Sequence, residues 1–191
     1  LKKSIPVLDL EDLANHKGSA FGGINQPAQL TQQLFENNIN DALEKLPIGK
    51  IIMVEDESMS IGYNKIPYSF WLKMKAAPII KIGVPFGLRV KRLVKEYGDA
   101  DVEALKKSIK NISQQLGPNQ FKECNILLDE GKLEEVAAIT LKYYDRAYEY
   151  NHTKKNITTI IPVETNTDNA EYNAELIKKS IKETYGTDRV D

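Results

Sequence analysis

Three acidic residues follow directly after an apolar run in the first third of the sequence. The run Ile51–Val54 is continuous, which is typical of a strand covered on both faces of a parallel sheet, and Glu55, Asp56 and Glu57 come next. Carboxylates at the end of such a strand hold Mg²⁺ beside a bound phosphate. We predict that these three are Walker B-like acids and that Glu55 and Asp56 are Mg²⁺ ligands. The alternative is a buried strand that simply ends in acids at the solvent boundary.

A second group of candidate residues lies in a glycine-bearing loop near the start of the chain. His16, Lys17, Gly18 and Ser19 stand together there, and two more glycines follow. Glycine lets a backbone approach a ligand closely, and lysine, serine and free amides hold phosphate or a polar ring. We therefore predict a phosphate-binding loop. A lone histidine in a loop is more often a surface residue or a hydrogen-bonding strut than a catalytic base.

The remaining basic candidates lie in a segment without acidic residues. Between Lys73 and Lys95 there are seven basic residues and no acidic one, although the whole chain has 26 Lys plus Arg against 27 Asp plus Glu. Arg89 and Arg92 lie about 60° apart on a predicted helix. That helix begins at a strand end, where a helix N-terminus attracts anions. We predict that both arginines contact phosphate. The alternative is a solvated face on which Arg92 pairs with Glu96 one turn later.

Four tyrosines fall within eight residues, from Tyr143 to Tyr150. Aromatic rings interleaved with basic residues stack nucleobases, so Tyr143 and Tyr148 are candidates for base stacking. The alternative places Tyr144, together with Tyr148, partly in the core, where their hydroxyls would tie this segment to the rest of the fold.

The composition is that of an ordinary globular chain that can form one sizeable core. The chain has 191 residues, is 41% hydrophobic and carries a formal net charge of −1. No apolar run approaches the roughly 20 residues that span a bilayer. The single cysteine, Cys124, excludes an internal disulfide, occupies an apolar helical position and fits a reducing cytoplasm. Because the chain begins at Leu1 and a strand pattern follows at once, we expect a fragment of a longer protein.

Apolar spacing predicts strands and helices that alternate along the chain. Polar loops are expected at 14–27 and after Ser58. Continuous aliphatic runs predict strands at 4–10, 51–54, 78–84 and 157–163. Apolar residues three and four positions apart predict helices at 35–46, 67–75, 90–97, 102–116, 118–130, 133–147 and 174–181.

This order of elements predicts an α/β fold, namely a P-loop NTPase-like open parallel sheet flanked by helices. The core is expected at 1–98 and 151–185, a helical insertion at 99–150, and a tail at 186–191. The sequence contains no Gly-x-x-x-x-Gly-Lys-Ser/Thr motif. The Walker A strand and loop are therefore expected to lie before Leu1. Without that central strand the sheet would have unpaired edges, which favours self-association of the fragment.

Several segments occur in an order and spacing that are similar to those of a known family, over about residues 7–165. They are Leu8–Gly22, Gln29–Asn37, Glu55–Ser58 with Ile61–Gly62, Leu88–Tyr97 and Tyr143–Tyr150. The most specific are the Asn-His-Lys-Gly-Ser loop and the Glu-Asp-Glu-Ser block. Together they resemble the P-loop domain of tRNA 2-selenouridine synthases. The family commonly has Arg after the Glu-Ser pair, whereas Met59 stands here, which predicts the loss of a basic contact in that loop.

The resemblance implies a cytoplasmic selenotransferase of two domains, in which an N-terminal rhodanese domain carries the catalytic cysteine and a P-loop domain follows. Such enzymes convert wobble 2-thiouridine, in the anticodon region of certain tRNAs, to 2-selenouridine through an S-geranylated intermediate. Their co-substrates are selenophosphate and geranyl diphosphate, and the resemblance leaves nucleotide binding open. Cys124 does not match the family's cysteine, so the catalytic residue is expected outside this chain.

By the same resemblance, this chain is part of the second domain and is expected to be inactive alone. Residues 16–19, Arg89 and Arg92 would bind diphosphate or tRNA phosphate, and the acids at 55–57 would serve Mg²⁺.

Two other functions fit the same residues. A small-molecule P-loop kinase also combines a strand, acids and an arginine-bearing helix, whereas a non-catalytic tRNA-binding module needs only the basic segment and the tyrosines. A cysteine-bearing rhodanese domain upstream would favour the synthase over the kinase. Binding of tRNA without any diphosphate site would favour the module.

Overall fold

The computed structural model describes residues 5–154 and 159–186. Within these residues the chain forms helices at α1 Leu10–Ala14, α2 Gln32–Glu44, α3 Tyr68–Ala76, α4 Phe86–Tyr97, α5 Val102–Asn111, α6 Ser113–Leu116, α7 Pro118–Asp129, α8 Leu133–Lys154 and α9 Ala170–Tyr185. The strands are β1 Val7–Leu8, β2 Met53–Val54, β3 Ser60–Ile61, β4 Asn64–Lys65, β5 Ile79–Gly83 and β6 Ile160–Glu164. The chain is therefore an α/β protein, as predicted.

The strands pair in parallel where the sequence predicts a parallel sheet. β1 pairs with β2, with Val7 opposite Met53, and β5 pairs with β6, with Ile79 opposite Ile160. The described strands form three two-stranded sheets, which differs from the single open sheet expected from the sequence. The third sheet is the antiparallel hairpin β3–β4, in a region predicted as a polar loop. Its turn contains Gly62 at φ +60°, where glycine is favoured because it lacks a Cβ.

Side-chain caps fix where several helices begin. Asp9 accepts a hydrogen bond from the backbone N of Asp12 (2.9 Å), so the predicted strand at 4–10 ends early and α1 starts at Leu10. Asn169 caps α9 in the same way, accepting from the backbone N of Tyr172 (2.9 Å). Helix α7 instead begins with Pro118, whose fixed φ suits the first helical position.

Two predicted elements have different limits in the structure. The helix expected at 102–116 breaks at Ile112, where φ is −110° and ψ is 13°. The Ser113 hydroxyl there donates to the Lys110 carbonyl oxygen (2.8 Å), a local hydrogen bond of the kind that interrupts helices. Helix α8 continues past 147 to Lys154. Residues 157–158 of the last predicted strand and 187–191 of the predicted tail lie outside the described residues.

Two larger apolar clusters divide the molecule. The α/β cluster joins β1, α1, α2 and the hairpin through buried residues that include Leu8, Phe35 and Ile61. The helical cluster joins α5 to α8 and also contains Ile24 of the loop that follows α1. This loop therefore links the two parts. Cys124 is fully buried in the helical cluster, which confirms the prediction that it is a small core residue. Burial raises the pKa of its thiol to about 11.

None of the helices in the described part of the chain is both long enough and apolar enough to cross a bilayer.

Candidate functional site

The loop from His16 to Gly23 is held in one shape by its own backbone and by α8. The backbone N of Lys17 donates to the Gly22 carbonyl oxygen (2.9 Å), and the backbone N of Gly22 donates to the Ser19 carbonyl oxygen (2.9 Å). The Tyr144 hydroxyl accepts from the backbone N of Ala20 (3.0 Å), which attaches the loop to α8. The loop predicted to bind phosphate is therefore rigid, but the backbone N–H groups of Lys17, Ser19, Ala20 and Gly22 donate within the protein and are not the free amides that the sequence suggested.

The His16 ring packs inside this loop. A Cβ at Gly22 would lie 2.8 Å from His16 Nδ1, so a side chain at position 22 would displace the imidazole. His16 Nδ1 is buried and has no hydrogen-bond partner among the described residues. Burial lowers the pKa of His16, which favours the neutral ring. The geometry thus gives His16 a packing role, and its predicted contact with phosphate stays a prediction.

Glu11 and Glu57 form a hydrogen-bonded carboxyl pair against the loop. Burial, and then the neighbouring Glu57 carboxyl, raises the pKa of Glu11 to about 7, and burial also raises the pKa of Glu57. Two carboxyl groups in contact hold one proton between them because both cannot ionise readily. Gly18 lies over this pair with φ +72°, and a Cβ there would be 2.3 Å from Glu57 Oε1. The loop and the acids are thus in direct contact.

The three consecutive acids point in different directions, as expected for side chains that alternate along an extended segment. Glu55 accepts a hydrogen bond from the backbone N of Leu10 (3.0 Å) and lies beside Asp9, and burial raises its pKa to about 7. Asp56 lies 3.7 Å from the Lys75 ammonium. Glu57 is the member that meets Glu11. Glu55 therefore binds the backbone at the start of α1, while Asp56 and Glu57 line a cavity.

That cavity, which we call the polar cleft, is a depression of about 730 Å³ between the loop, the acids, α3 and α8. Its size is ordinary for a small-molecule site. Six predicted site residues line it, together with Ser58, Met59, Trp71, Lys75, Tyr144 and Ala147. The six are Gly18, Ser19, Asp56, Glu57, Tyr143 and Tyr148.

Trp71 and Lys75 are cleft residues that the sequence reasoning missed. The Lys75 ammonium lies 5.3 Å from the centre of the Trp71 ring, a cation–π contact. Trp71 Nε1 is buried and has no acceptor among the described residues. The signal for them was available, since they are the only tryptophan and an (i, i+4) lysine on a helix predicted at 67–75.

A second cavity, which we call the apolar cavity, adjoins the polar cleft. It measures about 240 Å³ and lies among α4, α5, α7 and α8. Ser19, Tyr144 and Tyr148 line both cavities. The rest of its lining is almost wholly apolar, formed by Phe21, Leu93, Val94, Tyr97, Leu105, Leu128, Leu133, Val136, Ala137, Thr140 and Leu141.

The two predicted phosphate-binding arginines lie in a different place from the acids. The Arg89 guanidinium donates both of its terminal NH groups to Asp145, at 2.8 and 2.7 Å, and so joins α4 to α8. With Arg92 it lines a cavity of about 240 Å³ that also includes Val84 and Asp168, apart from the polar cleft. Lys17 pairs with Glu96, so the alternative partner considered for Arg92 is engaged elsewhere. The predicted site therefore divides into two.

The carboxylates of the polar cleft are too few to hold a metal ion by themselves. Within 5–154 and 159–186, no three His, Cys, Asp or Glu side chains are placed to hold a metal ion together. Glu55 is engaged at α1, which leaves Asp56 and Glu57 in the cleft. Mg²⁺ is usually held by one or two carboxylates with waters and substrate phosphates, so the pair fits an ion that arrives with a phosphate ligand.

The sequence that contains this loop and these acids matches the model of a known family. The profile of the tRNA 2-selenouridine synthase AAA domain matches residues 1–179. The chain belongs to the tRNA 2-selenouridine synthase family. A relative of that name from Shewanella sediminis (strain HAW-EB3) is 34% identical over 185 aligned positions, which cover 81% of this chain and 50% of the relative. Another, from Salmonella typhi, is 32% identical over 180 positions, covering 78% and 49%.

The chain spans about half the length of the curated tRNA 2-selenouridine synthases it matches. No solved structure matches it. The family predicted from the loop and the acid block is therefore confirmed.

Proposed function

We propose that this chain is the substrate-binding part of an enzyme that converts wobble 2-thiouridine in tRNA to 2-selenouridine. In this proposal the reaction passes through an S-geranylated intermediate, with geranyl diphosphate and selenophosphate as co-substrates. The chain binds the diphosphate and the tRNA, and the selenium-transferring cysteine lies in an N-terminal rhodanese domain of the whole protein. Family membership favours this function over a small-molecule kinase.

The observation that supports a diphosphate site is the convergence of four chain segments on the polar cleft. Gly18 and Ser19 come from the loop, Asp56 and Glu57 from the end of β2, Lys75 from α3, and Tyr143 and Tyr148 from α8. A hydroxyl, a cation and two carboxylates are groups that hold a diphosphate together with Mg²⁺. The buried Trp71 NH is a further donor at the same place. Mg²⁺ would neutralise the diphosphate and assist its departure.

The tRNA is proposed to lie along α4 and over the mouth of the polar cleft. Lys91, Arg92 and Lys95 are exposed on α4, on the segment that carries no acidic residue until Glu96. Such a face attracts the phosphate backbone of a nucleic acid. Tyr143 and Tyr148 line the cleft, where an unstacked base could lie against a ring. Arg89 is part of this proposal only if tRNA binding displaces Asp145.

The sheet is proposed to be completed by a segment that precedes this chain in the whole protein. The pairs β1–β2 and β5–β6 are both parallel, as in an open P-loop sheet. When that segment is missing, aliphatic side chains on and beside these strands are exposed, namely Ile52, Ile82 and Ile160. Their exposure supports the proposal that the fragment self-associates.

The test uses the full-length enzyme with Asp56→Asn, which keeps the size of the side chain and removes its charge. Loss of one carboxylate from the Mg²⁺–diphosphate site is expected to reduce geranylation of tRNA by about a hundredfold. Geranylated and selenated nucleosides are measured by mass spectrometry of digested tRNA. The matched control is Asp99→Asn, an exposed acid outside the cleft, which should retain wild-type activity.

Wild-type geranylation by Asp56→Asn would overturn the diphosphate site. If the unaltered protein binds tRNA but not geranyl diphosphate in calorimetry at saturating Mg²⁺, the chain is a tRNA-binding module instead.

A further inference from the structure

The apolar cavity is a half-open pocket with an almost wholly apolar lining. Apolar surface that stays in contact with water costs free energy, which a ligand recovers by covering it. At roughly 30 Å³ per water-sized group, the cavity of about 240 Å³ has room for about eight carbon atoms. An apolar pocket beside a few polar groups is the common form of a small-molecule site, and here the apolar cavity adjoins the polar cleft.

The lining of the cavity specifies the chemistry of that ligand. Leu93 and Val94 on α4 face Ala137 and Leu141 on α8, and these four side chains are only partly buried. The Thr140 hydroxyl is already used, donating to the Val136 carbonyl oxygen (2.9 Å). None of these walls carries a charge. A hydrocarbon chain is therefore the group that gains most from entering.

The junction with the polar cleft specifies what the hydrocarbon is attached to. Ser19, Tyr144 and Tyr148 line both spaces, so the two lie side by side with these three residues at their boundary. The apolar region therefore borders a region that contains the carboxylates and Lys75. An amphiphile with an anionic head and an aliphatic tail matches this sequence of surfaces.

We propose that the apolar cavity between α4 and α8 binds the aliphatic tail of an amphiphilic substrate whose charged head lies in the polar cleft. This deepens the proposed function, on which it rests, by assigning the place of the isoprenoid chain and the residues that limit its length. Ala137 is the length-determining position because its methyl group leaves space that a larger side chain would fill.

The experiment measures the dependence of affinity on chain length in the full-length enzyme. Calorimetric titrations use alkyl diphosphates with chains of increasing length, together with geranyl diphosphate. Each methylene that enters the cavity should tighten binding about fourfold, until the cavity is full. In Ala137→Phe the ring occupies this space, and the dependence on length should disappear beyond the shortest chains.

The matched control is Ala138→Phe, which places the same ring on the same helix at a partly buried position that does not line the cavity. It should keep the wild-type dependence on length. Folding of both variants is checked by circular dichroism and thermal melting. If the control fails to fold, Ala138→Leu is compared with Ala137→Leu, which fills less of the space and should shorten the optimal chain.

Affinity that does not depend on chain length in the wild type, or an unchanged dependence in a folded Ala137→Phe or Ala137→Leu, would overturn the tail site. Failure of the diphosphate site gives a different result. In that case geraniol, which has the tail without the head, binds as tightly as geranyl diphosphate and is still excluded by Ala137→Phe.

Discussion

The polar cleft and the apolar cavity share a wall but are maintained in opposite ways. Beside the polar cleft, Gly18 packs against the carboxyl pair of Glu11 and Glu57, and the pKa of Glu11 is raised to about 7. Holding these two acids together next to the loop is electrostatically unfavourable. In the cavity, uncharged side chains such as Leu93 and Ala137 leave space unfilled. In the proposed function, both regions give up stability for binding, the polar cleft in unfavourable charge interactions and the apolar cavity in unfilled space.

The largest expected effect comes from breaking the contact between the loop and the acids. Gly18→Ala adds a Cβ at φ +72°, 2.3 Å from Glu57 Oε1. We expect a loss of about 3 kcal/mol in the free energy of unfolding, from backbone strain and from displacement of the carboxyl pair. The measurement is denaturation by urea, followed by circular dichroism.

Gly131→Ala is the matched control for this prediction, since Gly131 has the same φ of +72° and nothing within 4 Å of an added Cβ. It should lose only about 1 kcal/mol, the cost of the left-handed backbone. Equal losses in the two variants would show that the acids do not constrain the loop.

The next effect separates the two arginines. Arg89→Ala breaks the bidentate pair with Asp145 between α4 and α8, and should reduce the free energy of unfolding by about 1 kcal/mol at this partly exposed site. Arg92→Ala should leave stability unchanged and weaken tRNA binding. Gel-shift titrations with tRNA at two salt concentrations accompany the denaturation curves.

A double-mutant cycle with Asp145→Ala measures the coupling between the two side chains directly. If the coupling energy is zero, Arg89 is not held by Asp145 in solution, and its role as a phosphate ligand needs no displacement of that carboxylate.

The smallest effect is a dependence of stability on pH. The pKa of Glu11 is about 7 in the folded protein and 4.5 in the unfolded chain, so the folded state binds the proton more tightly. The resulting stabilisation is complete below pH 4.5 and is lost as the pH rises through about 7. Glu11→Gln, which stays neutral, should be more stable than the wild type at pH 8 by about 1 kcal/mol, a value reduced for solvent exposure.

The difference should vanish at pH 4, where Glu11 is protonated in both states. Glu123→Gln, on the exposed face of α7, is the control and should follow the wild-type pH profile. Parallel profiles for Glu11→Gln and the wild type between pH 4 and pH 8 would contradict a shared proton in the carboxyl pair.

Half of the residues that line the polar cleft could be predicted, because strand ends meet in parallel sheets. Asp56 and Gly18 are 38 positions apart, yet each follows a strand of the β1–β2 pair, which brings them together. The hairpin β3–β4 was missed because strands of two residues are too short to show a period of two. Its formation depends instead on Gly62 and on side-chain contacts from Gln29, whose amide donates to the Ile61 carbonyl oxygen (2.9 Å).

The apolar cavity and the pairing of Arg89 could not be predicted from the sequence. Leu93 and Ala137 have the spacing of ordinary core residues, and only the packing of α4 against α8 shows that the space between them is unfilled. Asp145 is 56 positions from Arg89, and no local pattern indicates which acid a given arginine meets. Long-range partners depend on how helices cross, which the period of apolar residues does not specify.

Helix α8 has a consequence for communication across the molecule. Its 22 residues extend over roughly 33 Å, and along this length it presents Thr140 to the apolar cavity, Tyr148 to the polar cleft and Asp145 to Arg89. A ligand that shifts this helix along its axis alters all three surfaces at once. Thermodynamic linkage then makes the coupling reciprocal for each pair of surfaces. If a ligand at one surface changes the affinity at a second by some factor, a ligand at the second changes the affinity at the first by the same factor.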